Sequence, residues 1–176
     1  MIRLGFSACQ AVGKLLFVQL DPAEFRRACS RYATGVTIVT TFDERNRPIG
    51  MTANSFTSVS LRPALVSFCI DQRATVFPHF KTAKTFAINV LAQDQIDLSV
   101  RFATLDHEER FDGVPWHIGE TGSPLIEGAL AWLECTRWKV VDAGDHTLFL
   151  VRVRQAAALD AVKPLLYFAS SYQKLE

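Results

Sequence analysis

The stretch Ala129–Ala157, ALAWLECTRWKVVDAGDHTLFLVRVRQAA, decides the architecture. Two long strand-like runs, Ala129–Val141 and His146–Ala157, flank Asp142-Ala143-Gly144-Asp145. Turn residues between two such runs predict a β-hairpin. Upstream, Val36–Thr41 is β-branched throughout, and Asp43–Pro48 carries turn chemistry before the chain resumes at Ile49. Ala64–Ile70 and Thr85–Leu91 read as buried strands, and Pro164–Ala169 as a last strand before a short polar tail.

Helices are few. Asp21-Pro22-Ala23-Glu24 offers an N-cap carboxylate, a proline at the first helical position and Glu three residues after the cap. Phe25, Ala28, Cys29 and Tyr32 follow at helical spacing, so a helix is expected from Asp21 to near Gly35, its arginines on a solvated face. Ala74–Phe80 predicts a short helix, and Gln93–Ala103 a second, with Ile96, Val100 and Ala103 on one face. Residues 104–124 form a charged and then turn-rich excursion. About seven strands, mostly hairpin-connected, without regular strand–helix alternation, disfavour a doubly wound parallel sheet. The expected fold class is mainly β: a closed or split antiparallel barrel with flanking helices and Greek-key-like connections.

At 176 residues the chain fits one domain. Lys and Arg number 19 and Asp and Glu 18, which leaves no electrostatic footprint for nucleic acid or an acidic membrane. Thirteen phenylalanines suit either a Phe-rich core or a planar ligand, and the core is the favoured reading. Cys9, Cys29, Cys69 and Cys135 lack the close spacing of a zinc knuckle or a redox dithiol. They read as small buried hydrophobes in a reducing compartment, so a cytoplasmic protein is expected. In MIRLGFSACQAVGKLLFVQL, residues 1–20, Lys14 leaves apolar runs too short for a membrane span. This segment is read as an N-terminal extension before a domain over 21–176.

Several chemistries lack their motifs. There is no G-x-G-x-x-G, P-loop or G-x-S-x-G, and the four histidines form no H-E-x-x-H. His107-Glu108-Glu109 reads as a charged loop, and no metal is expected. The informative segment is Gly50–Leu61, GMTANSFTSVSL, where Thr52, Asn54, Ser55, Thr57, Ser58 and Ser60 crowd into nine positions. A core strand would leave so many polar groups unpaired. A polar outer strand and a ligand cradle for a flat, acceptor-rich molecule fit it equally. His146, after a Gly-Asp turn, faces solvent or a cleft.

The runs ATGVTIVTT, GMTANSFTSVSLRPALVSFCI, KTFAINVLAQDQ, AGDHTLFLVRV and PLLYFASSYQKL resemble, in order and spacing, the short-chain flavin reductase family. These are reductase components of two-component flavin monooxygenases, with an FMN-binding split barrel. The resemblance covers residues 21 to about 174 and leaves the first twenty without a counterpart. It implies that Thr52, Ala53, Asn54, Ser55 and Phe56 line the flavin, with Ser58 and Val59 continuing the wall. Arg73, Ala74 and Thr75 match the loop meeting the flavin phosphate; Asp71-Gln72 before it matches only loosely. Phe102 and Ala103 match positions near the flavin, His146 the nicotinamide-contacting histidine, and Tyr172 an aromatic of the same pocket. The implied activity is hydride transfer from NADH or NADPH to FMN or FAD, by a homodimer that passes reduced flavin to a monooxygenase. Residues 104–124 are expected to control which flavin or acceptor fits. Two alternatives share the fold: a non-catalytic flavin-binding protein, and an oxidase of the pyridoxamine-phosphate type, which would want a more basic phosphate pocket than Arg73, Lys81 and Lys84 provide.

Overall fold

A computed structural model describes residues 20–160 and 162–175. The extension expected over residues 1–20 therefore lies, apart from Leu20, outside the described residues, as does Cys9. The chain begins with α1 (Pro22–Cys29), β1 (Thr34–Gly35), β2 (Thr37–Phe42), β3 (Pro48–Ala53) and β4 (Thr57–Leu61). β5 (Ala64–Asp71), α2 (Phe77–Thr82), β6 (Thr85–Val90) and α3 (Ile96–Thr104) follow. A small pair, β7 (Trp116–Ile118) and β8 (Pro124–Ile126), precedes β9 (Ala131–Ala143) and β10 (His146–Ala158), and β11 (Leu166–Phe168) and β12 (Ser171–Gln173) end the chain.

Seven strands form one antiparallel sheet in the order β3-β2-β6-β9-β10-β5-β4. Its two edge strands, β3 and β4, are consecutive in sequence and joined only by Asn54-Ser55-Phe56. So short a link forces the sheet to curl until its edges nearly meet, which makes a barrel split between β3 and β4. The β9–β10 hairpin is its back wall: β9 pairs with β6 over Ala131–Thr136, and β10 with β5 over His146–Arg152. Register shifts at Leu150/Val151 and Val153/Gln155 let these long strands coil. The turn is tighter than the sequence suggested, because Ala143 pairs with His146 and leaves only Gly144-Asp145 between them. Gly144 sits at φ 70°, the positive value that a II′ turn requires at its first central residue.

The phenylalanines are core. Phe68, Phe80, Phe86 and Phe149 fill the barrel interior, with Phe68 stacked on Phe149 at 5.2 Å and edge-on to Phe86 at 5.7 Å. A second cluster, built on Val36, Ile38, Leu91, Phe102, Phe111 and Leu165, lies between β2 and α3 and supports Tyr167 and Tyr172.

Several expected boundaries move. α1 ends at Cys29 rather than near Gly35, because Thr34 and Gly35 are recruited into a ladder with β11. It has no buried residue, Phe25 being 55% exposed and Cys29 exposed rather than buried, and Tyr32 beyond its end is 78% exposed. The second helix starts at Phe77, since Ala74 is spent in a turn closed by its N–H to the Asp71 carbonyl, and Pro78 falls in the first turn. α3 starts at Ile96 because the Gln93 N–H pairs with the Lys163 carbonyl. Its buried residues are Ser99 and Phe102, and of the three residues expected on one face Val100 and Ala103 are exposed and Ile96 is half-buried. The last strand lies outside the seven-stranded sheet, in a three-stranded one with β1 and β12. Within 104–124 the described structure is a turn-rich loop and one arm of the β7–β8 pair, whose turn is held by buried Glu134 through the Thr121 N–H at 2.7 Å and hydroxyl at 2.8 Å.

Gly50, where β3 passes under α3, tests this packing. A Cβ there would lie 3.0 Å from Phe102 Cε1, Thr40 Cγ2 and the Val39 carbonyl oxygen. Gly50→Ala is expected to destabilise the protein by about 1–3 kcal/mol, as overpacking does, read as a lower urea midpoint at unchanged slope.

Candidate functional site

The polar segment bridges the split. Thr52, near the end of β3, donates its hydroxyl to the Ser99 carbonyl at 2.7 Å, fastening the strand to α3. The Ala53 carbonyl accepts from the Thr37 hydroxyl at 2.7 Å. Ser55 Oγ accepts the Cys69 N–H at 2.9 Å, supplying β5 with a partner just past Thr57, where the β4–β5 ladder ends. Two of the segment's five hydroxyls are thus spent on the fold, Ser55 reaching β5 beside the open seam and Thr52 reaching α3.

Asn54, Thr57, Ser58 and Ser60 make no side-chain hydrogen bond among the described residues, and of these Asn54 lies beside hollows. It is exposed, and its amide has no hydrogen bond among the described residues. Two hollows flank it. One, of about 220 Å³, is lined by Val36, Thr52, Ser99, Ala103, Tyr167 and Tyr172. The other, of about 270 Å³, runs over Tyr32, Thr34, Gly35, Phe56 and Val90. Thr34 lines the second hollow, and its Oγ1 is buried without a partner among the described residues. An unpaired buried hydroxyl costs free energy unless a ligand or water meets it. The cleft therefore offers a free amide and apolar or aromatic walls, with the unsatisfied Thr34 hydroxyl buried behind the second hollow.

The histidine joins the same end of the barrel through β5. His146 pairs with Asp71, two residues along the strand from Cys69, roughly 7 Å of extended chain. His146 Nδ1 lies 2.8 Å from Asp145 Oδ1, and this hydrogen bond holds the Asp145 carboxyl below the usual range. The loop after β5 is stitched to the hairpin by the Gln72 N–H to the Asp145 carbonyl at 3.0 Å. Arg73 forks onto Asp71: Nε to Oδ1 at 3.1 Å and Nη2 to Oδ2 at 2.8 Å, with the Arg73 backbone N–H also on Oδ1 at 2.8 Å. Those side-chain bonds, then the backbone one, hold the Asp71 carboxyl far below its ordinary value. Burial raises the Cys69 thiol and pushes Cys135 up to about 12, so neither is a thiolate at neutral pH.

Of the residues expected at the site, Thr52, Asn54, Phe56, Ala103 and Tyr172 line the hollows. Ala53 is buried and Ser55 is committed to β5. Ser58 and Val59 lie on exposed β4, Val59 as the extra residue of a bulge. Arg73 and Thr75 are exposed and Ala74 packs against the core, beside His146 rather than in either hollow. Phe102 is fully buried, its ring 4.9 Å from Phe111, and lines neither hollow; its neighbour Ala103 does.

Ser99 was missed. Its hydroxyl lies 2.9 Å from the Tyr172 hydroxyl, which holds the C-terminal β11–β12 hairpin onto α3 across the first hollow. Its signal was a polar residue three after Ile96, on what becomes the buried face. Asp71 and Asp145 were also missed, and carboxylates in turns carry no distinguishing pattern. Among the described residues no group of three or more His, Cys, Asp or Glu is placed to hold a metal, and no helix is long and apolar enough to cross a membrane.

Residues 29–176 match the family described as Flavin reductase like domain. A flavin reductase of Pseudomonas putida is 39% identical over 153 residues, 87% of this chain and 89% of that one. The reductase subunit HsaB of a flavin-dependent monooxygenase from Mycobacterium tuberculosis is 36% identical over 160 residues, 90% of this chain and 84% of its own. The solved structure of the NADH:FAD oxidoreductase SgcE6 of Streptomyces globisporus, in complex with NAD and FAD fragments, superposes with a TM-score of 0.83 at 39% identity, covering 89% of this chain and 93% of that one. Two similar proteins of Rhizobium meliloti are longer, this chain spanning 42% and 57% of their lengths.

The Ser99–Tyr172 contact sets a prediction. Tyr172→Phe leaves the buried Ser99 hydroxyl without its partner and should cost about 1 kcal/mol. A lower urea midpoint checks this, and an unchanged midpoint would mean that the hydroxyls bond water instead.

Proposed function

The chain belongs to the flavin reductase-like family, and on that premise we propose that it reduces flavin with NADH in the cleft around Asn54 and delivers the product to a separate monooxygenase. The observation that carries the site assignment is the exposed Asn54 amide, without a hydrogen bond among the described residues, set between hollows walled by Tyr167, Tyr172 and Phe56. A planar ring with carbonyl and N–H edges suits such a cleft. When bound, the flavin supplies the acceptor chemistry, a hydride passing from C4 of the nicotinamide to flavin N5.

The chain's own residues bind and orient. Thr52, tied to Ser99, and Ser55, tied to Cys69, rigidify the backbone on either side of Asn54, so its amide is presented on a fixed support. Tyr172 caps the first hollow from the C-terminal hairpin. Asp145 accepts a hydrogen bond at His146 Nδ1, which fixes the imidazole plane and leaves Nε2 for the nicotinamide amide. His146 positions the donor ring and moves no proton. No side-chain nucleophile is needed, in keeping with two protonated cysteines near the sheet.

The working form is a homodimer in which a second copy covers the cleft. Supporting this, the edge strand β4 exposes Val59 and Leu61, the latter 91% exposed, next to unpaired backbone groups. Light scattering on the purified protein reads the state directly.

Aerobic NADH absorbance, followed with FMN or FAD added in turn and NADPH for comparison, tests the activity. Loss of NADH that requires added flavin is expected. Tight flavin binding without turnover would instead favour a binding protein. His146→Ala is expected to raise the NADH KM about fivefold, the size of one hydrogen bond, and to leave flavin affinity unchanged. Unaltered NADH kinetics would remove His146 from the site.

A further inference from the structure

Arg73 stands on the loop after β5, beside the His146–Asp71 pair, with its side chain 83% exposed. A guanidinium in that position is suited to a phosphate, since its planar fork matches two phosphate oxygens. Here the fork is already taken. Asp71 holds both Nε and Nη2 and accepts the Arg73 backbone N–H as well, which leaves only Nη1 without a partner among the described residues. The two partners are not equally free. Asp71 is the last residue of β5 and is paired with His146, so its carboxylate stays with the sheet, whereas the Arg73 side chain projects into solvent.

We infer that Asp71 is an internal competitor for phosphate at Arg73, one that keeps phosphorylated flavin exchangeable rather than clamped. This rests on reading the Asn54 cleft as the flavin site with Arg73 as the cation nearest the phosphate. A flavin that must leave once reduced cannot be held as a prosthetic group is held. A guanidinium with no competing carboxylate would hold the phosphate tightly and slow that departure. With Asp71 in place, binding exchanges one charged hydrogen-bonded pair for another, and the net gain is small. The inference makes Asp71 a determinant of affinity for phosphate-bearing flavins, FMN and FAD, and irrelevant to riboflavin, which has the same ring and ribityl chain without phosphate.

Fluorescence titration of FMN and of riboflavin into the full chain, the Asp71→Asn and Arg73→Ala variants and the double variant tests this. Both side chains are at the surface, and riboflavin affinity reports whether the cleft is intact in each variant. Asp71→Asn is expected to tighten FMN about threefold, the size that an exposed ion pair supports, mostly through slower dissociation, with riboflavin unchanged. Arg73→Ala should lower the preference for FMN over riboflavin, and in that background Asp71→Asn should no longer tighten FMN. If Arg73→Ala lowers the preference but Asp71→Asn does not raise it, the competitor idea fails and the phosphate reading stands. A gain that persists without Arg73 also overturns it, because the carboxylate then acts only through its general field. If Arg73→Ala leaves the preference unchanged, Arg73 is not the phosphate partner and both fall.

Discussion

The structure depends on a seam that backbone hydrogen bonds do not close. β3 and β4 are the two edges of one seven-stranded sheet, yet they follow each other in sequence with three residues between them. So short a link brings the edges together without pairing them, and open edges leave N–H and C=O groups that must be satisfied. Side chains meet part of that demand. The Ser55 hydroxyl takes the Cys69 N–H, the Thr37 hydroxyl takes the Ala53 carbonyl, and the Thr52 hydroxyl ties the seam to α3. The cleft exists because the seam is bridged by short polar side chains and not by another strand.

This arrangement joins stability to function in one segment. The residues on either side of Asn54 are fixed by the fold, so its own amide can remain free without losing its position. The apolar cluster of Val36, Phe102, Phe111 and Leu165 backs the first hollow, and the C-terminal hairpin reaches it through Tyr172 and Ser99. At the other end of the band, β5 connects Ser55 to the His146 turn through Cys69 and Asp71. A single strand thereby sets the spacing between the Asn54 cleft and the charged loop. A cofactor that carries its own redox chemistry asks for little more than this: a rigid frame, a few directed donors and an exit.

Much of the fold was legible in the sequence. β-branching in Val36–Thr41, the apolar runs Ala64–Ile70 and Thr85–Leu91, and the turn residues within Asp142–Asp145 specified the strands, because those patterns arise from local sterics and burial. Helix ends were less legible. The chain from Ser30 to Gly35 keeps helical spacing, but β11, more than 130 residues away, claims Thr34 and Gly35 for a ladder. In α3 the spacing of Ile96, Val100 and Ala103 marks one apolar face and does not say what that face meets. The helix turns Ser99 and Phe102 inward, since Thr52 and Tyr172 supply the partners that make a buried serine tolerable.

By itself the sequence determined an antiparallel, hairpin-built barrel, a polar segment with too many hydroxyls for a core strand, a histidine at a turn and, through its ordered motifs, its family. Only the tertiary structure decided which of those polar groups are free. Thr52 and Ser55 are consumed by partners 47 and 14 residues away, Asn54 is not, and Arg73 is held by Asp71. Periodicity along a chain fixes the direction a side chain takes from its own backbone. What stands opposite depends on how distant segments are brought together, and that decides whether a donor holds the fold or awaits a ligand.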